Sequence, residues 1–410
     1  MKVSLLSLGC KVNQAECSRM EAAFRERGWS IVGLDEGPDI SIVNTCTVTS
    51  KSDYQSRQLI RRASGCGSKV VVTGCYSELN SDFVRSMTGV EMVVSNVNKD
   101  SIVNMIAGTS SRTFLDFSTL KRSRFHLKVQ DGCNNSCSYC AIPSARGRSR
   151  SIEIEKIIQH VRLASVSYNE IVLTGIHLGT YGYDLVAKVK LSDLLGEILK
   201  RTDIGRIRLS SLEIGEIDDQ LLEIMQDPRI CNHLHIPLQS GDNRILRDMN
   251  RNYDAEKFSS GVLHIHSKVP NVAMGTDVIV GFPGESEVEF QNTLDLIEAL
   301  PISYLHVFPF SPRPNTKAFG MSQQVPSQGK RDRASLLRAL SKRKKDAYMQ
   351  GQIGQSLEML VEERGHSNEV TGRTANYLRV RAFHESAMPR SLVSVRITEV
   401  MDDILLAHAI

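Results

Sequence analysis

Six short β-rich runs, separated mostly by helix-patterned stretches, fill the middle of this 410-residue chain. Consecutive strands with helical crossovers between them predict a parallel sheet, and six such units in a row predict a partly closed (β/α)6 barrel. In barrels of this kind the active site lies at the carboxyl ends of the strands. The predicted strands are Phe125–Val129, Glu170–Leu173, Arg206–Leu209, His233–Pro237, Ala273–Val280 and Tyr304–Phe308, and the helical stretches include Ile152–Ala164, Glu216–Met225, Glu287–Ala299 and Arg331–Gln350.

Two further units flank this barrel, so the overall fold class is α/β with a small all-β tail. The first unit alternates predicted strands and helices, which is typical of a small doubly wound α/β domain. The last carries strand-like runs separated by turn residues, which favours a small oligonucleotide-binding type of β-barrel. We expect domains at 1–107, 124–350 and 353–410, with a linker over 108–123. The flanking strands are predicted at Val3–Leu8, Ile40–Asn44, Lys69–Thr73, Leu357–Val361, Tyr377–Arg381, Leu392–Glu399 and Ile404–Ala407, and the first unit's helices at Ala15–Arg27, Asp53–Ala63 and Glu78–Met87.

Composition limits the classes of function. No stretch approaches the eighteen uninterrupted apolar residues of a membrane span, and the amino terminus has no small-residue cleavage site, so we expect a cytoplasmic protein with no membrane partner. The formal net charge is only +4, so any contact with nucleic acid must come from local basic patches. Nine cysteines in such a compartment favour metal binding or catalysis over disulfides.

Three cysteines follow the first predicted barrel strand at short spacing, in QDGCNNSCSYCAIP. Cys133, Cys137 and Cys140 offer soft thiolate ligands suited to iron–sulfur clusters or zinc. A structural zinc site would need a fourth ligand, and no Cys or His follows at comparable spacing. Three thiolates on a four-iron cluster leave one iron open to bind a further ligand. The alternatives are a zinc loop or three incidental thiols.

Three other cysteines each follow a predicted strand of the first unit. Cys10, Cys46 and Cys75 should therefore lie along the carboxyl edge of one parallel sheet, where they can converge on a second cluster. Topology alone leaves open that they are ordinary core thiols. Cys17, Cys66 and Cys231 fit no such pattern and are interpreted as small buried residues.

The CxxxCxxC spacing with Tyr139 before the third cysteine resembles the radical S-adenosylmethionine (SAM) superfamily. The runs GCKVNQAE, VNTCTVTSKSD and VTGCYSE resemble the first domain of the methylthiotransferase family. This resemblance implies two [4Fe–4S] clusters, one of them an auxiliary cluster on Cys10, Cys46 and Cys75. It also implies SAM as methyl donor and radical source.

Further motifs extend the resemblance over nearly the whole chain. LTGIHLGTYG, SSLE, HIPLQSGDNRILRDMNRNY, DVIVGFPGE and HVFPFSPRPNTKA are similar to family segments near the cofactor, and Ile214 departs from a commoner proline after the glutamate. The resemblance implies SAM contacts at Tyr139, Thr174, Gly175, Ser211, Glu213, Gln239, Gly281 and Phe310. No catalytic residue is expected beyond the clusters.

The tail, with GRTANY, resembles the RNA-binding TRAM domain. GCKVNQ, together with the cluster loop and ARGRSRS, is most similar to the branch acting on N6-threonylcarbamoyladenosine at position 37 of tRNA. This implies methylthiolation of adenine C2, with the tRNA anticodon stem-loop, a reductant such as flavodoxin or ferredoxin, and a sulfur donor as partners. The candidate RNA contacts are Arg146, Arg148, Arg150, Arg373 and Tyr377.

Alternatives to this function remain open at the level of sequence. The same chemistry could act on isopentenyladenosine of tRNA or on an aspartate of a ribosomal protein. A non-catalytic iron–sulfur protein that binds RNA is the alternative from another class. It would bind tRNA yet release no 5′-deoxyadenosine from SAM.

Overall fold

The computed structural model describes residues 1–109, 116–120 and 122–410. The predicted linker over 108–123 therefore lies in part outside the described residues. Three consecutive units follow one another along the chain: a parallel sheet with helices, a six-stranded half-barrel and a small closed barrel. The predicted fold class is confirmed.

The first unit is a five-stranded, all-parallel sheet in the order β2-β1-β3-β4-β5. Because its strands run in one direction, their carboxyl ends share one edge. The short strands β2 and β5 were not predicted, and the predicted helix over Glu78–Met87 is interrupted at Asn80, whose φ of −134° is not helical. The strands are β1 (Lys2–Ser7), β2 (Ser30–Ile31), β3 (Ile40–Thr45), β4 (Lys69–Gly74) and β5 (Val90–Val93), and the helices are α1 (Lys11–Glu26), α2 (Ser50–Gly65), α3 (Cys75–Leu79), α4 (Ser81–Arg85) and α5 (Ile102–Ala107).

The central unit contains all six predicted barrel strands. They form two three-stranded parallel sheets, β6-β9-β10 and β11-β12-β13, joined where Ile207 bridges to Ile230. The strands are β6 (Phe125–Lys128), β7 (Gln130–Asp131), β8 (Arg150–Ser151), β9 (Glu170–Thr174), β10 (Arg206–Leu209), β11 (His233–His235), β12 (Ala273–Val280) and β13 (Tyr304–Pro309). The helices are α6 (Ile142–Arg146), α7 (Ile154–Ser165), α8 (Leu191–Arg201), α9 (Asp219–Ile224), α10 (Asn243–Asp248), α11 (Ala255–Lys268), α12 (Glu287–Ala299) and α13 (Ser327–Gln350).

The last unit is a closed five-stranded barrel in the order β14-β15-β16-β18-β17. Only the β16–β18 pair is parallel, and the other pairs are antiparallel. Its core is separate from that of the half-barrel and includes Met349 from the end of α13. Strand β15 was not predicted from the sequence; it carries Gly372 and alternates buried and half-buried residues. The strands are β14 (Ser356–Arg364), β15 (Glu369–Thr374), β16 (Arg379–Phe383), β17 (Leu392–Met401) and β18 (Ile404–Ala409).

The first and last units both pack closely against the half-barrel. Helix α1 of the first unit lies against the open edge strand β6. At the amino-terminal end of the half-barrel, Arg208 donates hydrogen bonds to the carbonyls of Thr374 and Ala375 in the last unit, at 3.1 and 2.8 Å. Burial would raise the pKa of Glu170, but Arg208, Arg206 and Arg124 beside it lower that pKa to about 2. A buried ionic junction thus closes this end and leaves the carboxyl ends of the strands for the site.

Helices long and apolar enough to cross a membrane are absent from the described residues.

Candidate active site

The loop with the central cysteines is framed by a two-stranded ribbon, in which Gln130 of β7 pairs with Ser151 of β8. The buried Gln130 amide donates to the carbonyls of Asp131 and Gly132 at 3.1 and 2.8 Å. Its oxygen accepts from the backbone of His177 at 2.8 Å. This side chain therefore ties the start of the cysteine loop to the segment that follows β9.

Cys133, Cys137 and Cys140 line one open space of about 510 Å³. Arg251 Nη1 donates to Cys137 Sγ at 3.2 Å, and the backbone amide of Asn135 donates to Cys133 Sγ at 3.4 Å. Burial chiefly raises the pKa of the Cys140 thiol to about 12, so this sulfur is costly to ionise unless a cation binds it. Three soft donors around shared space, with a guanidinium beside them, fit an iron–sulfur cluster held at three irons.

Cys10, Cys46 and Cys75 also converge, although they are distant in sequence. Burial chiefly, and then the charges of Cys10 and Cys75, raise the pKa of the Cys46 thiol. A Cβ on Gly9, whose φ is +91°, would lie 2.5 Å from Cys46 Sγ, so the loop after β1 must be backbone alone at this point. The sheet therefore brings these thiols to its carboxyl edge, and the donor set again fits a cluster.

Arg146 lies where the sequence did not predict it. Its side chain is fully buried: Nε donates to Cys75 Sγ at 3.2 Å, and Nη1 lies 3.0 Å from a carboxylate oxygen of Glu16 and 2.8 Å from one of Asp131. A guanidinium enclosed in this way cannot reach RNA phosphate. The expected RNA contact at Arg146 is therefore corrected to a structural contact between the two cysteine sites.

A cavity of about 170 Å³ lies between the two cysteine sites. One wall is the first unit's loop directly after Cys46, residues 47–49. The opposite wall includes Cys140 and its neighbours in the cluster loop, and strands β12 and β13 supply most of the remainder. Most of its lining is apolar, with Asp277 as its one charged side chain among the described residues. A flat aromatic substrate placed here would lie between both candidate clusters.

Four of the expected SAM contacts lie at or beside this cavity. Tyr139, Gln239 and Phe310 line it directly. Gly281 follows β12 with φ of +72°, and a Cβ there would lie 2.4 Å from Lys330 Cγ, so the close approach of Lys330 requires glycine. These four positions suit cofactor binding, and their contacts with SAM stay predictions.

The other four expected SAM contacts lie farther from the cavity lining. Thr174 is fully buried and its hydroxyl donates to the carbonyl of Leu127 at 3.2 Å, so its expected side-chain contact with SAM is corrected to a structural role. The backbone amide of Gly175 donates to the Ser210 hydroxyl at 3.3 Å, and Ser211 is exposed. Glu213 pairs with Arg251, which places its carboxylate beside the central cysteines.

The remaining RNA candidates divide into two groups. Arg148 and Arg150 are exposed in the segment after the cluster loop, and Arg148 borders the open space around the central cysteines. Tyr377 is enclosed at the junction between units: the guanidiniums of Arg373 and Arg208 lie 4.6 and 4.8 Å from its ring centroid. Its expected base-stacking role is corrected, because these cations and His233 occupy its ring.

Two residues near the central cysteines were not assigned a role by the sequence. Arg251 stands in the quoted run HIPLQSGDNRILRDMNRNY, but nothing in that run shows which residue faces a thiol. His177 also contacts this site: its Nδ1 lies 3.5 Å from Cys133 Sγ and its Nε2 lies 2.5 Å from Glu216 Oε1. Cys17 and Cys231 are buried as predicted, whereas the prediction for Cys66 is wrong, because it is exposed beyond the end of α2.

Comparison with known proteins gives two family matches. Residues 127–297 match the Radical SAM superfamily, and residues 2–95 match a family described as uncharacterized protein family UPF0004. The matches cover most of the half-barrel and most of the first unit, including both cysteine triplets.

Several curated relatives are similar over nearly their whole length. The chain is 38% identical to the threonylcarbamoyladenosine tRNA methylthiotransferase MtaB of Aquifex aeolicus, over 88% of this chain and 93% of that protein. It is 36% identical to the protein of that name in Bacillus subtilis, over 96% and 93%. It is 31% identical to the tRNA-2-methylthio-N(6)-dimethylallyladenosine synthase of Aliarcobacter butzleri, over 97% and 96%.

Among solved structures, the fold is similar to that of the radical SAM methyltransferase TsrM from Kitasatospora setae with cobalamin and a [4Fe–4S] cluster bound. The TM-score is 0.58 at 13% identity, covering 78% of this chain and 77% of that one. At this identity the likeness concerns the fold alone.

Proposed function

The chain belongs to the radical SAM methylthiotransferases of tRNA, enzymes that use SAM and a [4Fe–4S] cluster, and from this premise we propose that its substrate is N6-threonylcarbamoyladenosine at position 37 of tRNA. The reaction would place a methylthio group on adenine C2, giving 2-methylthio-N6-threonylcarbamoyladenosine. The anticodon stem-loop is then the macromolecular partner. A reductant such as flavodoxin or ferredoxin and a sulfur donor would complete the cycle in the cell.

The observation that carries the proposal is the cavity between the two cysteine triplets. A reaction that joins sulfur to an unactivated ring carbon needs the carbon close to both a radical source and a sulfur source. The cavity is bordered by Cys140 on one side and by the loop after Cys46 on the other. Its walls are mostly apolar, which suits a flat base withdrawn from water.

The proposal includes a second, auxiliary [4Fe–4S] cluster on Cys10, Cys46 and Cys75. When bound, the clusters and SAM supply one-electron cleavage of SAM, sulfur and a methyl group. The chain itself holds the two thiol sets at a fixed separation through buried Arg146, and Arg251 donates to Cys137 and offsets thiolate charge. The loop over residues 47–49 forms one wall of the cavity.

The names of the relatives support threonylcarbamoyladenosine as the substrate. The relatives at 38% and 36% identity carry the threonylcarbamoyladenosine name, and the relative at 31% identity carries the dimethylallyladenosine name. The domain limits 1–107, 124–350 and 353–410, the seven SAM contacts that the structure leaves available, and the RNA contacts of Arg148 and Arg150 are part of this proposal.

The test is mass spectrometry of tRNA nucleosides from a strain that lacks the gene and from the same strain complemented. We expect 2-methylthio-N6-threonylcarbamoyladenosine to disappear and its unthiolated precursor to accumulate. If only the methylthiolated isopentenyl derivative disappears, the substrate is isopentenyladenosine instead. If the tRNA is unchanged and a ribosomal protein has lost its modification, the substrate is that protein's aspartate. A purified, cluster-loaded protein that releases no 5′-deoxyadenosine from SAM would instead indicate a binding protein.

A further inference from the structure

Helix α2 turns its only carboxylate away from solvent. Asp53 accepts from Arg313 Nη2 at 2.6 Å and from the Thr47 hydroxyl at 2.7 Å. Ser56, which is buried, exchanges hydrogen bonds with the backbone of Cys46 at 2.9 and 3.2 Å. The inner side of the helix is therefore fixed on the half-barrel and on the loop that carries Cys46.

The outer side of α2 is basic. Four exposed residues recur there at spacings of three and four, so that their side chains form one stripe along the helix: Lys51, Tyr54, Gln58 and Arg61. Arg62 lies beside the stripe and is exposed as well. Because the helix has no acidic residue besides Asp53, this outer face carries three cations and no anion.

The three cations of the outer face have no ion-pair partner in the described part of the chain. Helix α13 shows the contrasting arrangement. Its exposed Lys342 lies 3.0 Å from a carboxylate oxygen of Asp346, and Arg343 lies 2.7 Å from one of Glu298. A polyanion that binds the outer face of α2 would therefore gain three new charge contacts without breaking existing ion pairs.

Tyr54 lies among these cations. Its side chain is 52% exposed, and its hydroxyl accepts from Gln58 Nε2 at 2.6 Å, which holds the ring on the helix surface. Single-stranded nucleic acid stacks its bases on exposed aromatic rings while its phosphates meet nearby cations. The cations alone would suit any acidic partner, and the ring favours RNA.

The stripe begins at the cavity between the two cysteine sites. Thr49, which caps the amino terminus of α2, lines that cavity together with Val48. Val48 is 54% exposed and Phe308, also in the lining, is 37% exposed, so both lie at the cavity's rim. From there the ten residues between Lys51 and Arg61 extend the basic face by roughly 15 Å. A strand that places one base in the cavity can thus continue along α2.

We propose that the outer face of α2 is an RNA-binding surface that holds the strand next to the target nucleotide, with a base stacked on Tyr54 and phosphates at the three cations. This inference rests on the proposed function in taking tRNA as the partner, and it holds for either adenosine derivative. It adds a contact on the first unit to those expected at Arg148 and Arg150. Contacts on two units would hold the strand while the target base leaves its loop.

The test measures binding of a synthetic anticodon stem-loop to cluster-loaded protein over a range of salt concentrations. The probe carries N6-threonylcarbamoyladenosine at position 37. The α2 variant combines Lys51→Ala, Arg61→Ala and Arg62→Ala. The control combines Lys342→Ala, Arg343→Ala and Lys345→Ala, which remove three cations that already have acidic partners. Equal iron content and equal unfolding midpoints verify that both variants fold.

The α2 variant should bind the probe more weakly, by roughly tenfold or more at low salt. Its dependence of log Kd on log salt should fall by about two, since each lost phosphate contact on a single strand contributes roughly 0.7. The control should keep the wild-type salt dependence. An α2 variant with the salt dependence of the control overturns the proposal.

Stacking is tested separately at Tyr54. Tyr54→Ala should weaken binding at least about fivefold, the lower end for loss of one base–aromatic stack, and should leave the salt dependence unchanged because no charge is removed. Tyr54→Phe keeps the ring and should bind almost as wild type does. A Tyr54→Ala protein with wild-type affinity overturns the assignment of this face to RNA.

An acidic electron-donor protein is the competing partner for this face. Reduction of the clusters by flavodoxin and by dithionite, followed by absorption, tests it in the same variants. An α2 variant that keeps its tRNA affinity but is reduced more slowly by flavodoxin alone overturns the proposal. Unchanged reduction together with weakened tRNA binding supports it.

Failure of the proposed substrate gives a different result. Wild type that binds the probe but does not methylthiolate it refutes the substrate, while the comparison of variants still decides the role of α2. Wild type that binds no stem-loop overturns both proposals.

Discussion

Arg146 Nε donates to Cys75 Sγ at 3.2 Å, although the two residues belong to different units of the fold. Arg146 ends the short helix that follows the central cysteine loop, whereas Cys75 begins the helix after strand β4. The guanidinium also pairs with Glu16, whose carboxylate Lys99 and Lys128 approach to 2.7 and 3.1 Å. One buried charge network therefore fixes the position of each cysteine site relative to the other.

Replacing Arg146 by glutamine should destabilise the protein and loosen the second cysteine site. The substitution leaves Glu16 and Asp131 buried with fewer cationic partners, which costs about 3–5 kcal/mol for a broken buried pair. Chemical unfolding of the wild type and the variant measures this loss. Arg146→Lys keeps the charge but loses the forked donors, so it should recover stability in part. Equal stability of all three proteins would contradict the network.

An iron assay should distinguish the clusters held by the two cysteine triplets. Anaerobically reconstituted wild type should hold about eight irons, and replacement of either triplet by alanine should leave about four. The variant of Cys133, Cys137 and Cys140 should release no 5′-deoxyadenosine from SAM. Cys46→Ala should still cleave SAM yet form no methylthiolated product. A single cluster in the wild type, or zinc in place of iron, would exclude the two-cluster proposal.

The positions of the cysteines follow from the sequence because strand order constrains them strongly. In a parallel sheet every residue directly after a strand lies at the same edge, so three predicted strands sufficed to place Cys10, Cys46 and Cys75 together. The six barrel strands could be identified for a different reason: buried strands are rich in branched apolar residues. The short edge strands β2 and β5 have two and four residues and no such pattern.

Long-range polar contacts were not predictable from the sequence. ARGRSRS has the composition of an exposed basic segment, yet Arg146 is buried because Glu16 and Asp131 face it from two other elements. The motif GRTANY likewise gives no sign that Tyr377 packs against Arg208 of the half-barrel. Such contacts depend on how whole units meet, which local patterns do not encode.

Arg148 and Arg150 should contribute to tRNA binding through charge. Both are exposed beside the central cysteine loop, where phosphates of an anticodon loop would pass. Replacing both by alanine should weaken tRNA binding and reduce the dependence of log Kd on log salt by about one for each lost phosphate contact. Arg162→Ala, an exposed arginine on outer helix α7, serves as the control. An unchanged salt dependence in the double variant would remove these residues from the RNA surface.

Tyr377→Ala should affect stability more than RNA binding. The ring lies at the junction of the last unit and the half-barrel, against Arg373, Arg208 and His233. Its removal should cost about 3–5 kcal/mol, as for a large aromatic residue in a packed site. Tyr54→Ala, at an exposed tyrosine of α2, should leave the unfolding midpoint nearly unchanged. A Tyr377→Ala protein of normal stability but tenfold weaker tRNA binding would restore the base-stacking role.

His126 on β6 should make the folded state sensitive to acid. Burial first, and then the nearby charges of Arg122, Lys11 and Arg124, lower the pKa of His126 to about 3. Its Nδ1 is buried without a partner among the described residues. Because the unfolded chain titrates near pH 6.5, it takes up a proton below that pH which the folded protein refuses. The stability associated with this group is therefore complete above pH 6.5 and is lost progressively as the pH falls towards 3, by at most about 5 kcal/mol. Urea unfolding of iron-free wild type and His126→Phe at pH 7 and pH 5 measures how the free energy of unfolding changes with pH. The variant should show a smaller change.

His264→Gln alters an exposed histidine and should keep the wild-type pH dependence. A His126→Phe protein that also keeps it would show that other groups cause the acid sensitivity.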